Sequence, residues 1–440
     1  MPGALIPGAL HEWPAWNEYT FEKSEKGPLL TQYKKDIVAR YGEEALRKSW
    51  LKVCAELEKL TDEISEKGSS IIPEIAYDDF FKLSAEEQEK IKSVGCFVVR
   101  QAVSEDLATE WFNDAKTYVA DNKASVTGWP TETPFVLNIY WSPSQQAART
   151  HPRQLKLQRA INTWWHDEEG NTSPEPLSYA DGIRIRPPGV PFYGLGPHID
   201  AGSLSRWVDP GYIKVYDSIF SGHPEDFDAF DLTTRKKANQ SLFEGFAHSS
   251  VFRSFQGWTA LSKAAPKEGS LLLYPNVKTA IAYVLLRPFF SQPKDEKDIM
   301  DATKWTFDVE TPWFPGTWRE DSQFASPTSH PHLRLKECML HIPPMQAGDT
   351  IWWHCDMLHA VEVEHIGDHE ASVVYVGAVP TTEVNTAYIK GQLQKFVDGG
   401  QTPHDFDHKK LAPESTFKGY LGEKGILGGD EGRKAFGFDL

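Results

Sequence analysis

From about residue 135 the chain never keeps one hydrophobic period for long, and this texture limits the fold more than any other feature. FVLNIYWS, GIRIRPPG, YIKVYDSIF, SVFRSFQGWTAL, GSLLLYP, CMLHIPPM, DTIWWHCDMLHAVEVEH and ASVVYVGAV are short apolar or alternating runs separated by Gly, Pro and Asp. Alternation puts successive side chains on opposite faces, as strands do. Many such runs predict an antiparallel sandwich or barrel. There is material for its core, since 40% of the 440 residues are hydrophobic and 12% aromatic. A charged fraction of 25% excludes disorder as the class.

The flanks read differently. Leu46, Trp50, Val53, Leu57, Leu60 and Ile64 fall three or four apart and mark one face of a helix, with Gly42 and Gly68 as its stops. The repeat is too short for a coiled coil and predicts a helix packed on the main domain. A second helix over Ala85–Val94 stops at Gly95, a β run covers Cys96–Arg100, and a third helix starts after Ser104, whose hydroxyl suits a cap. A last helix over residues 386–397 precedes a Gly-rich, polar tail that is expected to wrap the surface. The expected organisation is an N-terminal helical extension (1–70), one β domain with helical insertions (71–385), and a C-terminal helix and tail (386–440).

Charge and cysteines narrow the setting. The net charge of −16 argues against nucleic acid or an anionic membrane as the main partner. The opening MPGALIPGALHEWPAW lacks a basic n-region and is not read as a signal peptide, and no run approaches a membrane span. Cys54, Cys96, Cys338 and Cys355 form no CxxC pair, so neither a thiolate zinc site nor a disulfide framework is expected. A cytoplasmic location follows as the simplest expectation.

The sharpest chemical feature is GPHIDAGS, in which His198 and Asp200 are spaced H-x-D. On a strand, residues i and i+2 point the same way, so imidazole and carboxylate can take one metal ion together. His359, more than 100 residues later in AGDTIWWHCDMLHAVE, is the third candidate. Two His and one carboxylate make the facial triad of non-haem Fe(II) oxygenases, which leaves open positions on the metal. A second H-x-D exists at His354-Cys355-Asp356. His354 and His359 fall on opposite faces of one strand, so the strand must bend or end before Leu358 if His359 is to ligate.

Several segments resemble a known superfamily. IKSVGCFVVRQAVSEDLATEW, QGWTALSKAAPKEGSLLLYPN and GDTIWWHCDMLHAVE are similar to motifs of the phytanoyl-CoA-dioxygenase-like enzymes. A closer resemblance, through IYWSPSQQAARTHP, DGIRIRPPG, GPHIDAGSLSRW, FRSFQGW, LLRPFF, HPHL, WWHCDMLHAVE and SVVYVGAVP, is to the DUF1479 family and covers nearly the whole chain. The resemblance implies a mainly β fold with helical additions around a double-stranded β-helix (jelly roll). It also implies one Fe(II) held by His198, Asp200 and His359, with 2-oxoglutarate and O2 as cosubstrates.

Many members of that superfamily carry an Arg ten to twenty residues after the distal His, to hold the far carboxylate of 2-oxoglutarate. HAVEVEHIGDHEASVVYVGAVP contains none. Ser372 and Tyr375 can hydrogen-bond a carboxylate without neutralising it. The candidate cosubstrate residues are therefore Arg184 and Arg186, which share one strand face, Arg253, and Ser372. Candidate substrate residues are Tyr140, Gln145 and Arg149 in YWSPSQQAAR, and Arg206 after the H-x-D. Trp207, Trp258, Trp352 and Trp353 flank the motifs as core or pocket wall.

The sequence thus predicts an Fe(II)/2-oxoglutarate oxygenase. Its expected substrate is a small, carboxylate-bearing molecule, such as an amino acid or natural-product intermediate, which it hydroxylates or closes into a ring. A cupin-like metal enzyme without 2-oxoglutarate and a non-enzymatic jelly-roll binding protein are the alternatives. Oligomeric state is left open.

Overall fold

The protein was analysed as a computed structural model, which describes residues 27–193, 195–243, 245, 249–317 and 322–440. The reading of the first sixteen residues lies outside these.

Eight strands form the centre: β1 (Ile183–Arg186), β2 (His198–Ile199), β3 (Phe255–Ala260), β4 (Leu271–Leu273), β5 (Leu340–His341), β6 (Thr350–His354), β7 (His359–Val361) and β8 (Ala371–Tyr375). They divide between two sheets. The larger runs Glu74–Ala76, Cys96–Arg100, β6, β3, β8, β1, Val136–Leu137, Gly128–Trp129. The smaller runs Gln323–Phe324, β2, β7, β4, β5. All pairings among β1–β8 are antiparallel; Glu74–Ala76 against Cys96–Arg100 is parallel.

The register is fixed by packing. Trp352 of β6 lies opposite Gly257 of β3, and a Cβ on Gly257 would fall 2.7 Å from the indole ring. Only glycine lets the two strands pair beneath that side chain.

Helices occupy more of the described chain than strands do, which corrects the mainly β expectation to a mixed architecture. The strands are two to six residues long and their connections carry the helices. YIKVYDSIF, expected as a strand, is helical over Pro210–Val215 and Asp217–Phe220. The reason is local. Asp209 caps Tyr212 N and Pro210 sits at the first helical position, so the Asp-Pro start outweighs the alternating pattern.

The flanking helices stand where the periodicity places them. Glu43–Lys67 buries Leu46, Trp50, Val53, Leu57 and Ile64, with Thr61 rather than Leu60 on the inner face. Trp50 stacks on Phe290 (4.4 Å) and Tyr283 (5.4 Å), so the helix is clamped to the core. Ser84 and Gly95 cap Ala85–Val94, and Ser104 caps Glu105–Asp121. Glu383–Val397 is followed by a segment that does more than cover the surface: Phe436 is fully buried against Trp141 and Phe396. Among the described residues no helix is long and apolar enough to cross a membrane.

Candidate metal centre and cavity

His198 on β2 and His359 on β7 are direct cross-strand partners. Antiparallel pairing brings their rings to 4.2 Å between centroids. Asp200 closes the group, with Oδ1 3.2 Å from His198 Nε2 and Oδ2 3.4 Å from His359 Nε2. β6 ends at His354 and the chain turns before β7 begins at His359, which re-aims the imidazole toward β2.

The tautomers are set by the backbone. His198 Nδ1 donates to Gly196 O (2.7 Å) and His359 Nδ1 donates to Met357 O (3.0 Å). A carbonyl only accepts, so each Nδ1 carries the proton and each Nε2 keeps a lone pair on the Asp200 side. Burial, then the neighbouring His198, lowers the His359 pKa and favours the neutral ring that a metal requires. Burial opposes the charge on Asp200, but the two imidazoles outweigh it and hold the carboxyl well below its usual range. The donor set therefore fits a divalent cation of the Fe(II) type.

The group opens on a cavity of about 250 Å³. Val136, Leu195, Leu271 and Val361 supply apolar wall, and Trp258 and Trp353 are the tryptophans that line it. Trp207 and Trp352 are core instead: Trp207 Nε1 donates to Leu285 O and Trp352 Nε1 to Thr350 Oγ1.

The other sequence candidates separate sharply. Arg184 lines the cavity, is 3% exposed, and its guanidinium makes no hydrogen bond or ion pair with any described residue. Arg253 also lines it, 3.8 Å from Asp181. Arg186, two residues along β1, lies outside the lining and donates to Glu362 O, Val190 O and Val363 O. Ser372 Oγ donates to Arg184 O. Arg206 is fully buried, donates to Ala201 O and faces Asp356 at 3.6 Å. Gln145 closes a capping box with Ser142, Arg149 donates to Tyr140 O and Asp181 O, and Tyr140 stacks on Phe406 at 4.5 Å. That trio braces the wall from behind rather than lining it.

Sequence reasoning missed Tyr179, Asp181, Gln256, Asp405 and Phe406, all of which line the cavity. Asp181 stands directly before β1 in a segment already singled out for its arginines. Asp405 and Phe406 come from the C-terminal segment, where no local pattern signals a site.

Residues 27–438 match the Gig2-like family model, and the chain belongs to the Gig2-like family. It is 30% identical over 396 residues to the uncharacterized protein YbiU of Escherichia coli (strain K12), covering 86% of this chain and 88% of that protein. The crystal structure of GlcNAc Inducible Gene 2, GIG2 (DUF1479), from Candida albicans is similar with a TM-score of 0.83 at 28% identity, covering 96% of this chain and 90% of that one. The hypothetical protein JW0805 from Escherichia coli is similar with a TM-score of 0.79 at 28% identity, covering 96% and 99%.

Proposed function

We propose that this member of the Gig2-like family is a non-haem Fe(II)/2-oxoglutarate-dependent oxygenase acting on a small, carboxylate-bearing molecule. The observation that carries the reading is the pairing of the His198–Asp200–His359 group with a buried, unpartnered Arg184 on one cavity. Arg184 Nε is buried without a partner and the guanidinium has no counter-ion among the described residues, so an anionic ligand in the cavity would satisfy both. Arg184 on β1 can take the place of the arginine missing after the distal histidine, which favours 2-oxoglutarate over the cupin-like alternative. The strand order supports a jelly-roll reading, with β1, β3, β6 and β8 in one sheet and β2, β4, β5 and β7 in the other.

His198, Asp200 and His359 would hold Fe(II) from one side, leaving positions for cosubstrate and O2. When bound, Fe(II) with 2-oxoglutarate and O2 supplies the oxidising power for an unactivated C–H bond, which no side chain here provides. Arg184 binds and neutralises the far carboxylate of 2-oxoglutarate. Trp353 Nε1, buried without a partner beside His359, is a further donor facing this group. Burial raises the Tyr375 pKa, so its phenol stays neutral and able to donate. The apolar wall excludes water from the reacting carbon. A volume of about 250 Å³ lies below the usual range for ligand pockets, so the substrate is small.

The test is succinate release from 2-oxoglutarate by the full chain with Fe(II) and O2. Arg184→Met is expected to raise the 2-oxoglutarate concentration needed for half-maximal rate about tenfold or more. No succinate from the wild type, or an unchanged requirement in Arg184→Met, would sink the respective assignment.

A further inference from the structure

The three side chains of the metal group are not held in the same way. His198 and His359 each anchor Nδ1 on a backbone carbonyl. Asp200 has no such anchor. Among the described residues no backbone N–H, hydroxyl or guanidinium bonds its carboxylate, and its close partners are the two imidazoles. β2 also ends at Ile199, so strand geometry does not aim Asp200. Its direction is set by the backbone that follows.

That backbone is left-handed. Ala201, Gly202 and Ser203 have φ of 57°, 72° and 22° in succession. Two of the three are not glycine and adopt positive φ at a cost, so the turn persists only where its surroundings impose it. Here the surroundings are Arg206. Its Nη1 donates to Ala201 O at 2.8 Å, and Ser203 N donates to the same oxygen at 2.8 Å. A Cβ on Gly202 would fall 3.1 Å from Arg206 Nη1 and 2.7 Å from Tyr212 Oη, so the turn rests directly on these two side chains. Arg206 is itself immobilised. It is fully buried, sits 5.6 Å over the Tyr212 ring, and faces Asp356 at 3.6 Å. Arg235 and Tyr216 bind Asp356 in turn.

We propose that Arg206 is a positioning residue for the metal group: by pinning Ala201 O it holds the left-handed turn that aims the Asp200 carboxylate between His198 and His359. Arg206 lies outside the cavity lining, so it acts through Ala201 and not on a substrate. The second His-x-Asp segment then serves the first, because Asp356 steadies the guanidinium that steadies the turn. This role rests on the metal-binding half of the oxygenase reading and is independent of cosubstrate and substrate. It is the counterpart, made through the backbone, of the carbonyls that orient the two imidazoles.

The test is calorimetric titration of the full chain with Mn(II), with the melting temperature of each variant recorded beside it. Arg206→Met is expected to weaken Mn(II) binding about tenfold or more. Arg206→Lys keeps a positive charge opposite Asp356, but its nitrogen ends one bond short of the guanidinium fork. It should lose Mn(II) affinity with a smaller loss of stability, and it carries the test if Arg206→Met folds poorly. The discriminating step is Ala201→Gly, because glycine takes a positive φ without Arg206 to impose it. In the Ala201→Gly background the same Arg206 replacements should cost less than about threefold in Mn(II) affinity. A merely structural Arg206 would lower the melting temperature, leave the Mn(II) affinity of the folded chain unchanged, and gain nothing from Ala201→Gly. Unchanged affinity in both Arg206 variants, or a loss that is as large in the Ala201→Gly background, would overturn the proposal. A wild type that binds no Mn(II) would sink the metal assignment itself, and the role of Arg206 with it.

Discussion

The chain spells His-x-Asp twice, each with a third potential ligand close by, and the two copies differ in how their ring nitrogens and carboxylates are already engaged. At His198-x-Asp200 both ring Nδ1 atoms of the group donate to backbone carbonyls, and each Nε2 lies toward Asp200. At His354-x-Asp356 both ring nitrogens are spent: Nε2 donates to Ala229 O (2.9 Å) and Nδ1 accepts from Asp356 N (3.1 Å). The carboxylates differ in the same sense. Asp200 is flanked by two imidazole Nε2 atoms, at 3.2 Å and 3.4 Å, and by no guanidinium within ion-pairing distance among the described residues. Asp356 is bound by Arg235 and Tyr216 and faced by Arg206, and a guanidinium does not give up its proton. The same His-x-Asp spacing thus gives a candidate ligand set at one place and a buried ionic lock at the other. The lock also reaches the ligand set, because Arg206 holds Ala201 O just after Asp200.

The largest effect expected from breaking this contrast is at Asp200. Asp200→Ala should abolish succinate release and weaken Mn(II) binding about 100-fold or more, with the melting temperature little changed. A variant with full turnover would mean that the ligand set is misassigned. Asp356→Asn should do the reverse in kind. It leaves two buried guanidiniums short of a counter-charge, and about 3–5 kcal/mol of unfolding free energy should be lost in denaturant titration. Burial opposes the Asp356 charge, but Arg235 and then Arg206 hold its pKa well below the carboxylate range. A depressed folded pKa gives stability that is present above the unfolded value of about 3.9 and lost as pH falls through the folded one. The penalty of Asp356→Asn should therefore be the same at pH 7 and pH 5 and shrink only below about pH 4. A penalty that halves between pH 7 and 5 would show that Asp356 is not held by the arginines.

How much of this was legible in the sequence follows from how local each feature is. Gly95 and Ser104 end or begin helices through contacts a few residues long, so the string of letters carries them. The His198 and His359 pairing followed from strand alternation, a bend before Leu358 and the resemblance that placed His359 rather than His354. The fate of the arginines was not legible, because Arg184 and Arg186 share one face of β1 and differ only in what lies opposite. Arg186 meets the carbonyls of Val190, Glu362 and Val363, while Arg184 meets the cavity. Asp405 was beyond reach for the same reason at longer range, since more than 200 residues separate it from Tyr179. The prediction of a strand at YIKVYDSIF failed on a local signal that was present, the Asp209-Pro210 start.

The smallest effect expected is at His354, and it is the one that sharpens the contrast most. Burial pushes its pKa down to about 4, so it is neutral at working pH and acts only through its two hydrogen bonds and its stacking on Trp165 at 5.1 Å. In His354→Gln the side-chain amide can still donate toward Ala229 O. It cannot also accept from Asp356 N, and the flat stack is lost. One unsatisfied buried N–H and a thinner contact amount to about 1–3 kcal/mol of stability. Mn(II) affinity should stay within about twofold of the wild type, because neither ring nitrogen was available to the metal in the first place. An iron or manganese loss equal to that of His359→Ala would instead make His354 the distal ligand, and the two His-x-Asp segments would have to exchange roles.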